Sequence, residues 1–211
     1  MHLAEGLLSG TVLAAGAAGS AVGVGIGLWR LDEDRIPRVA VLSSAFFVAS
    51  LIHLPVGMTE AHLLLTGLAG LILGWTAFPA LLVALLLQFV LFGYGGLTTL
   101  GGNTLTMALP AVICYFVFSD GVRHARRSVA AVLAFLCGAV GVALAAGFTL
   151  LALVASGEGF VEPGYALVAF HLPVMGVEGL VTAFVALFLR RVRPELLCAP
   201  LHNLRKGDDL G

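Results

Sequence analysis

The sequence predicts an all-α fold: a polytopic bundle of seven transmembrane helices. Three observations carry this expectation. The chain of 211 residues is 60% hydrophobic and only 11% charged, with mean hydropathy +1.06, whereas soluble domains carry roughly 25% charged residues. Apolar runs near the length needed to cross a bilayer recur from end to end. Finally, the positive charges cluster in alternate connections between those runs, as they do on the cytoplasmic side of membrane proteins.

The runs lie near 7–29, 38–54, 62–75, 77–93, 103–119, 128–155 and 164–190. The third is short and could be read as one helix with the fourth. Charge decides between the readings. With seven spans and an extracytoplasmic N-terminus, all 11 Lys and Arg residues fall on the cytoplasmic side. Fusing runs three and four would put Arg123, Arg126 and Arg127 opposite Arg30, Arg35 and Arg38. Gly74 and Pro79, flanking Trp75-Thr76-Ala77-Phe78, supply the break. The C-terminus is then cytoplasmic. Residues 1–193 read as one membrane domain that includes an N-terminal metal-binding segment, and 194–211 as a short polar tail.

Run one carries Ala15, Gly19, Gly23 and Gly27 at four-residue spacing. Such a stripe lets another backbone approach closely, either a partner subunit or a helix of the same bundle. Run two ends at His53, which can be a ligand, a gate, an entry-path residue or an interfacial imidazole bonded to backbone. Run three opens at His62. A glycine-rich loop, 93–102, follows run four and can fold closely over a ligand. Asn103 then opens run five, where it can cap the helix or reach into a site. Run seven holds His171 and Glu178, seven residues apart and so on one helix face about 10 Å apart. Ionisable groups at membrane depth are functional candidates. Glu178 can hold backbone between helices or fix the tautomer of a ligand histidine.

Cys114, Cys137 and Cys198 have no paired spacing, which argues against disulfides or a thiolate zinc site and for small buried or cytosolic thiols. The net charge of −1 argues nothing about nucleic acid, and the sequence shows no basic patch with interleaved aromatics.

Met1-His2 offers a chemistry of its own. A metal bound by the terminal amine and the His2 amide nitrogen closes a five-membered ring, and adding His2 Nδ1 closes a six-membered one. Three nitrogens then share a plane, and a fourth, from His62, completes a square suited to Ni(II), Cu(II) or low-spin Co(II). The amide must lose its proton, so affinity falls in acid. Met1 should be retained, because His2 is too large to permit trimming, and residues 1–10 carry no basic signal-peptide n-region. Alone, a Met-His start also occurs by chance. The predicted parity adds to it by placing the Met1 amine, His62 and the 93–102 loop on one membrane face.

Together these residues resemble the CbiM/NikM family, the substrate-specific (S) components of energy-coupling-factor cobalt and nickel importers. Met1-His2-Leu3-Ala4-Glu5-Gly6 resembles the family opening Met-His-x-x-Glu-Gly. His62-Leu63-Leu64 resembles its later histidine, and Phe92-Gly93-Tyr94-Gly95-Gly96-Leu97-Thr98 its Phe-Gly-x-Gly-Gly-Leu-Thr stretch. Gly101-Gly102-Asn103 with Met107, and Gly176-Val177-Glu178-Gly179, match further motifs. The resemblance implies Co(II) or Ni(II) as transported substrate, held by Met1, His2 and His62, with no organic cofactor. It also implies a prokaryotic inner membrane and partners: a transmembrane coupling (T) subunit and two cytoplasmic ATPase subunits, with a small accessory membrane subunit as a further candidate. No Walker A motif is present, so the chain is not expected to be an enzyme. Glu60 stands where small neutral residues are expected and leaves cobalt versus nickel open. The rival readings are an S component for an organic micronutrient, whose pocket would be aromatic, and an intramembrane metalloenzyme, which would need an open metal position and a base.

Overall fold

The computed structural model describes residues 3–51, 53–56 and 59–197, with the backbone alone described for 53–56 and 59–62. Among these, eight α-helices and one two-stranded hairpin follow in order: α1 Gly10–Trp29, α2 Ile36–Ala49, β1 His53–Val56, β2 Thr59–His62, α3 Thr66–Leu73, α4 Ala77–Phe92, α5 Leu100–His124, α6 Arg127–Ser156, α7 Val161–Phe170 and α8 Leu172–Val192. Five stretches are long and apolar enough to cross a membrane: Gly10–Trp29, Thr66–Phe92, Leu100–His124, Arg127–Ser156 and Leu172–Val192.

The expected run 38–54 is not one helix. α2 stops at Ala49, and His53–Val56 pairs antiparallel with Thr59–His62. Pro55 explains the change, because a proline pushes the preceding residue into extended backbone and cannot donate inside a helix. Run three likewise does not begin at His62. That residue ends β2, and α3 starts at Thr66 after Leu65, whose φ of +49° is a left-handed conformation rare for a branched residue.

Between α3 and α4 the chain turns back on itself. Gly16 of α1 meets Gly102 of α5 and Gly19 meets Leu105, so α1 and α5 run in parallel. Gly70 meets Ala111 and Gly74 meets Tyr115, so α3 runs with them. α4 begins beside Gly27, at the far end of α1, and the loop after it reaches Glu5 through Gly96. It therefore runs the opposite way. The reversal uses Gly74 at φ +55° and a 3₁₀ turn, Gly74–Thr76. α2 lies along α4: Ser43 Oγ donates to Ala80 O at 2.8 Å, and Gln88 Nε2 donates to Ser50 Oγ at 2.7 Å.

The expected run 164–190 is two helices. Pro173, in the first turn of α8, has no N–H to continue the ladder, and the break falls at His171. α8 packs antiparallel on α6: Gly138 faces Glu178 and Thr182, and Arg190 Nη2 donates to Ala125 O at 2.8 Å. At the same end, the Arg30 guanidinium lies 5.4 Å over Trp75, and Arg38 Nη2 reaches Glu195 O at 3.5 Å. The basic clusters thus share one end of the bundle. Of the expected tail, 198–211, Cys198 included, lies outside the described residues.

α3 is the buried centre. All eight of its residues are buried, wedged between α5, α6 and α8 at backbone contact. A Cβ on Gly67 would stand 2.3 Å from Cys137 O, and one on Gly138 would stand 2.5 Å from Glu178 O. Cys114 and Cys137 are buried here, their thiols donating to Cys137 O at 3.5 Å and Gly67 O at 3.4 Å. The stripe on α1 is used in the same way. Gly23 packs on Phe78 and Gly27 on Pro79 and the Trp75 carbonyl, both glycines being buried, while Gly19 meets Leu105 and Ala15 is exposed. Of the two readings of this stripe, contact within the bundle is the one these glycines make.

Gly138→Ala should therefore cost about 1–3 kcal/mol by overpacking, read as a lower melting temperature in detergent. Gly147→Ala, on the same helix with nothing within 4 Å of the added carbon, should be neutral or stabilising by up to about 1 kcal/mol. Equal melting of the two variants would contradict the close α6–α8 approach.

Candidate metal centre

Leu3 is 3% exposed, although it lies near the chain terminus. A single side chain accounts for its backbone. The Leu3 N–H donates to Asn103 Oδ1 at 2.9 Å, and Asn103 Nδ2 donates to Leu3 O at 3.1 Å. The primary amide thus pairs with one residue as a neighbouring strand would. The Thr99 hydroxyl adds a bond to Leu3 O at 2.9 Å. Asn103 therefore does not cap its own helix; it reaches across to the N-terminal segment. That segment is fastened further by Ser9 N–H to Ser156 Oγ at 3.1 Å, and Leu3 and Leu8 pack on Leu153. Met1 and His2 lie outside the described residues.

Glu178 does the same for the second half of the candidate site. It is fully buried on α8, and its Oε1 accepts the N–H groups of Leu64 and, at 2.7 Å, Leu65. Those donors are free because the chain there has left the β-ladder and not yet entered α3. Without Glu178, two backbone N–H groups would be orphaned in an apolar interior. The left-handed Leu65 is held in place by the same contact. Glu178 thus serves as a clamp on backbone two residues past His62.

The two clamps stand about a turn apart in depth. Gly70 is level with Ala111, so Leu65 and Thr66, a turn earlier, are level with about Met107, one turn past Asn103 on α5. In the hairpin register His53 stands directly opposite His62. Its place beside the expected ligand is thereby defined, whereas the spacing in sequence left it undetermined. His171 is 6% exposed, and its Nδ1 lies 2.8 Å from Leu167 O. Two buried acceptors are left with no hydrogen-bond partner among the described residues, His171 Nε2 and Glu178 Oε2, as are the hydroxyls of Thr66 and Thr182. Unpartnered polar atoms at this depth are costly and call for a ligand or a function. The described residues include no group of three or more His, Cys, Asp or Glu able to hold a metal by themselves. Of the residues that build the site, Thr99 was not anticipated; its signal is a hydroxyl ending an otherwise glycine-rich loop.

A membrane bundle that clamps two irregular backbone segments, one at Leu3 and one just past a histidine-bearing hairpin, has the character of a transport component. Comparison with known proteins defines it further. Residues 2–196 match the CbiM family, described as "Cobalt uptake substrate-specific transmembrane region", and the chain belongs to that family. It is 38% identical to a "Putative metal transport protein" of Haemophilus influenzae, over 93% of this chain and 97% of that one. It is 36% identical to the "Cobalt transport protein CbiM" of Sorangium cellulosum, over 93% and 94%. The match to the "Fused nickel transport protein NikMN" of Rhodobacter capsulatus is 32%, over all of this chain and 70% of that one. A crystal structure of a transition metal transporter superposes over the whole of both chains with TM-score 0.70 at 27% identity.

Truncating either clamp should loosen the site. Asn103→Ala leaves the buried Leu3 N–H unpaired, a loss of about 1–3 kcal/mol, and should lower the melting temperature by several degrees. Glu178→Ala strips the acceptor from two buried N–H groups and should cost about 1–3 kcal/mol for each. Glu178→Gln keeps an oxygen in place and should retain most of that stability. Thermal unfolding of the three variants in detergent is the check; a Glu178→Ala protein as stable as Glu178→Gln would refute the clamp.

Proposed function

We propose that this chain is the substrate-binding membrane subunit of an energy-coupling-factor importer for Co(II) or Ni(II). The cation is the substrate. Its ligands are the Met1 amine, the His2 amide nitrogen, His2 Nδ1 and an imidazole nitrogen of His62, set in a square. The observation that carries this reading is the double clamp. Asn103 binds the residue immediately after His2, and Glu178 binds the backbone two residues after His62. Holding the Leu3 backbone buried costs conformational entropy and desolvation, which a bound cation would offset. The relatives named for cobalt and nickel transport support the same substrate class.

In this reading the bundle crosses the membrane seven times, with α3–α4 and α7–α8 forming short or broken crossings. The site faces outward, and the basic end, Arg30 to Arg38, Arg123 to Arg127 and Arg190 to Arg193, faces the cytoplasm by the positive-inside rule. ATP hydrolysis belongs to separate ATPase subunits acting through a transmembrane coupling subunit, and their movement releases the metal inward.

Acetylation of the Met1 amine removes the primary amine but none of the clamps. Calorimetric titration of Co(II) and Ni(II) into protein purified with its native start should give tight binding. The acetylated protein should bind at least about a hundredfold more weakly, about 2.7 kcal/mol, while melting normally in the absence of metal. Unchanged affinity in the acetylated protein would refute the site.

A further inference from the structure

At the end of the bundle away from Leu3 and Asn103, two hydrogen-bond donors are left over beside each other. The Arg30 guanidinium lies 5.4 Å over the Trp75 ring. Its Nη1 and the Trp75 Nε1 are both buried, and neither has a hydrogen-bond partner among the described residues. Other arginines at this end are engaged. Arg35 pairs with Asp32 at 3.3 Å, Arg193 pairs with Glu195 at 3.3 Å, and Arg190 donates to Ala125 O at 2.8 Å. A guanidinium and an indole N–H can only donate, so both Arg30 and Trp75 need an oxygen from elsewhere.

Both groups lie where a bilayer ends. The membrane-crossing stretch Gly10–Trp29 has 20 residues, which at 1.5 Å each span about 30 Å, the thickness of a hydrocarbon core. Arg30 is the next residue and so reaches the headgroup layer. Trp75 lies in the turn between α3 and α4, and its carbonyl meets Gly27, which puts it at the same level. Trp29, 83% exposed, has the place of an interfacial aromatic residue. Phe116 meets the Trp75 ring edge-on at 6.4 Å and is 54% exposed. Apolar surface therefore runs from the two donors onto the outer side of α5. The acidic residues that follow, Asp32, Glu33 and Asp34, are exposed, and Asp32 is held by Arg35.

We propose that Arg30 and Trp75 form a binding site for the headgroup of an anionic phospholipid. One phosphate oxygen accepts from the guanidinium and a neighbouring oxygen accepts from the indole N–H, while the first methylenes of an acyl chain lie on Phe116. Charge and place select this occupant. A half-buried cation without a counter-charge favours an anion, guanidinium and phosphate form a strong charge-assisted bond, and an anion with an apolar tail is what a bilayer supplies at this depth. A zwitterionic lipid fits less well, because its own ammonium group competes with Arg30 for the phosphate. The bound lipid ties the end of α1 to the α3–α4 turn.

The test is thermal unfolding of the full chain, stripped of lipid in detergent and titrated separately with phosphatidylglycerol, phosphatidylcholine and inorganic phosphate. Native mass spectrometry counts the lipids retained. Phosphatidylglycerol should raise the melting temperature saturably, by more than the other two, and stay bound. Arg30→Gln should weaken its binding by about tenfold or more. Trp75→Phe keeps a ring and deletes the N–H, and should weaken binding by about threefold or more. Arg35→Gln removes an equal charge nearby and should change binding by less than about twofold. Equal shifts with the two lipids overturn the site, as does an equal loss in Arg35→Gln and Arg30→Gln. A shift with inorganic phosphate alone that matches the lipid's overturns the lipid as occupant. The lipid comparison on the unaltered chain and Trp75→Phe decide the matter even if Arg30→Gln does not fold.

Discussion

The structure depends on how a membrane interior tolerates backbone that is neither helix nor closed sheet. Water is absent there, so each free N–H and C=O must find a partner within the protein. Two irregular segments enter this bundle, the stretch from Leu3 and the link from the hairpin to α3, and one buried side chain takes two backbone groups of each. Asn103 pairs with both backbone groups of Leu3, and one oxygen of Glu178 takes the N–H groups of Leu64 and Leu65. A primary amide suits the first task because it donates and accepts side by side. A carboxylate suits the second because two donors converge on it and it offers only lone pairs.

Those side chains can act as clamps only because the helices carrying them come close to the segments they bind. Gly67 and Gly141 let α3 lie against α6, and Gly138 lets α8 do so, at distances a methyl group would prevent. The clamp on the hairpin link and the glycine contacts are thus one device. Close packing brings Glu178 to Leu64 and Leu65, and their bonds to it hold the left-handed Leu65 from which α3 begins. The α1 glycines serve the same end by bringing α1 against α4 and α5, so that the N-terminal segment emerges beside Thr99 and Asn103.

Much of this was legible in the chain itself. The apolar runs, their interruption near Gly74, the gathering of arginines at one end, and the polar residues worth attention, His53, His62, Asn103, His171 and Glu178, all follow from residue type and order. The hairpin was not anticipated, because apolar runs 38–54 and 62–75 are equally compatible with helix and strand. Only Pro55 hints that the backbone at Leu54 is extended. The break at His171 was likewise hidden, since Pro173 is also compatible with a kink.

Composition and charge pattern by themselves determined that this chain is a membrane bundle, because burying so few charges among so many apolar side chains permits little else. Order in the sequence also determined which residues carry chemistry. What each of them touches was decided by tertiary structure alone. Asn103 and Leu3, or Glu178 and Leu65, are about a hundred residues apart, and no local rule links them. Their pairing arises only when the helices have packed and an unpaired N–H has no water to turn to.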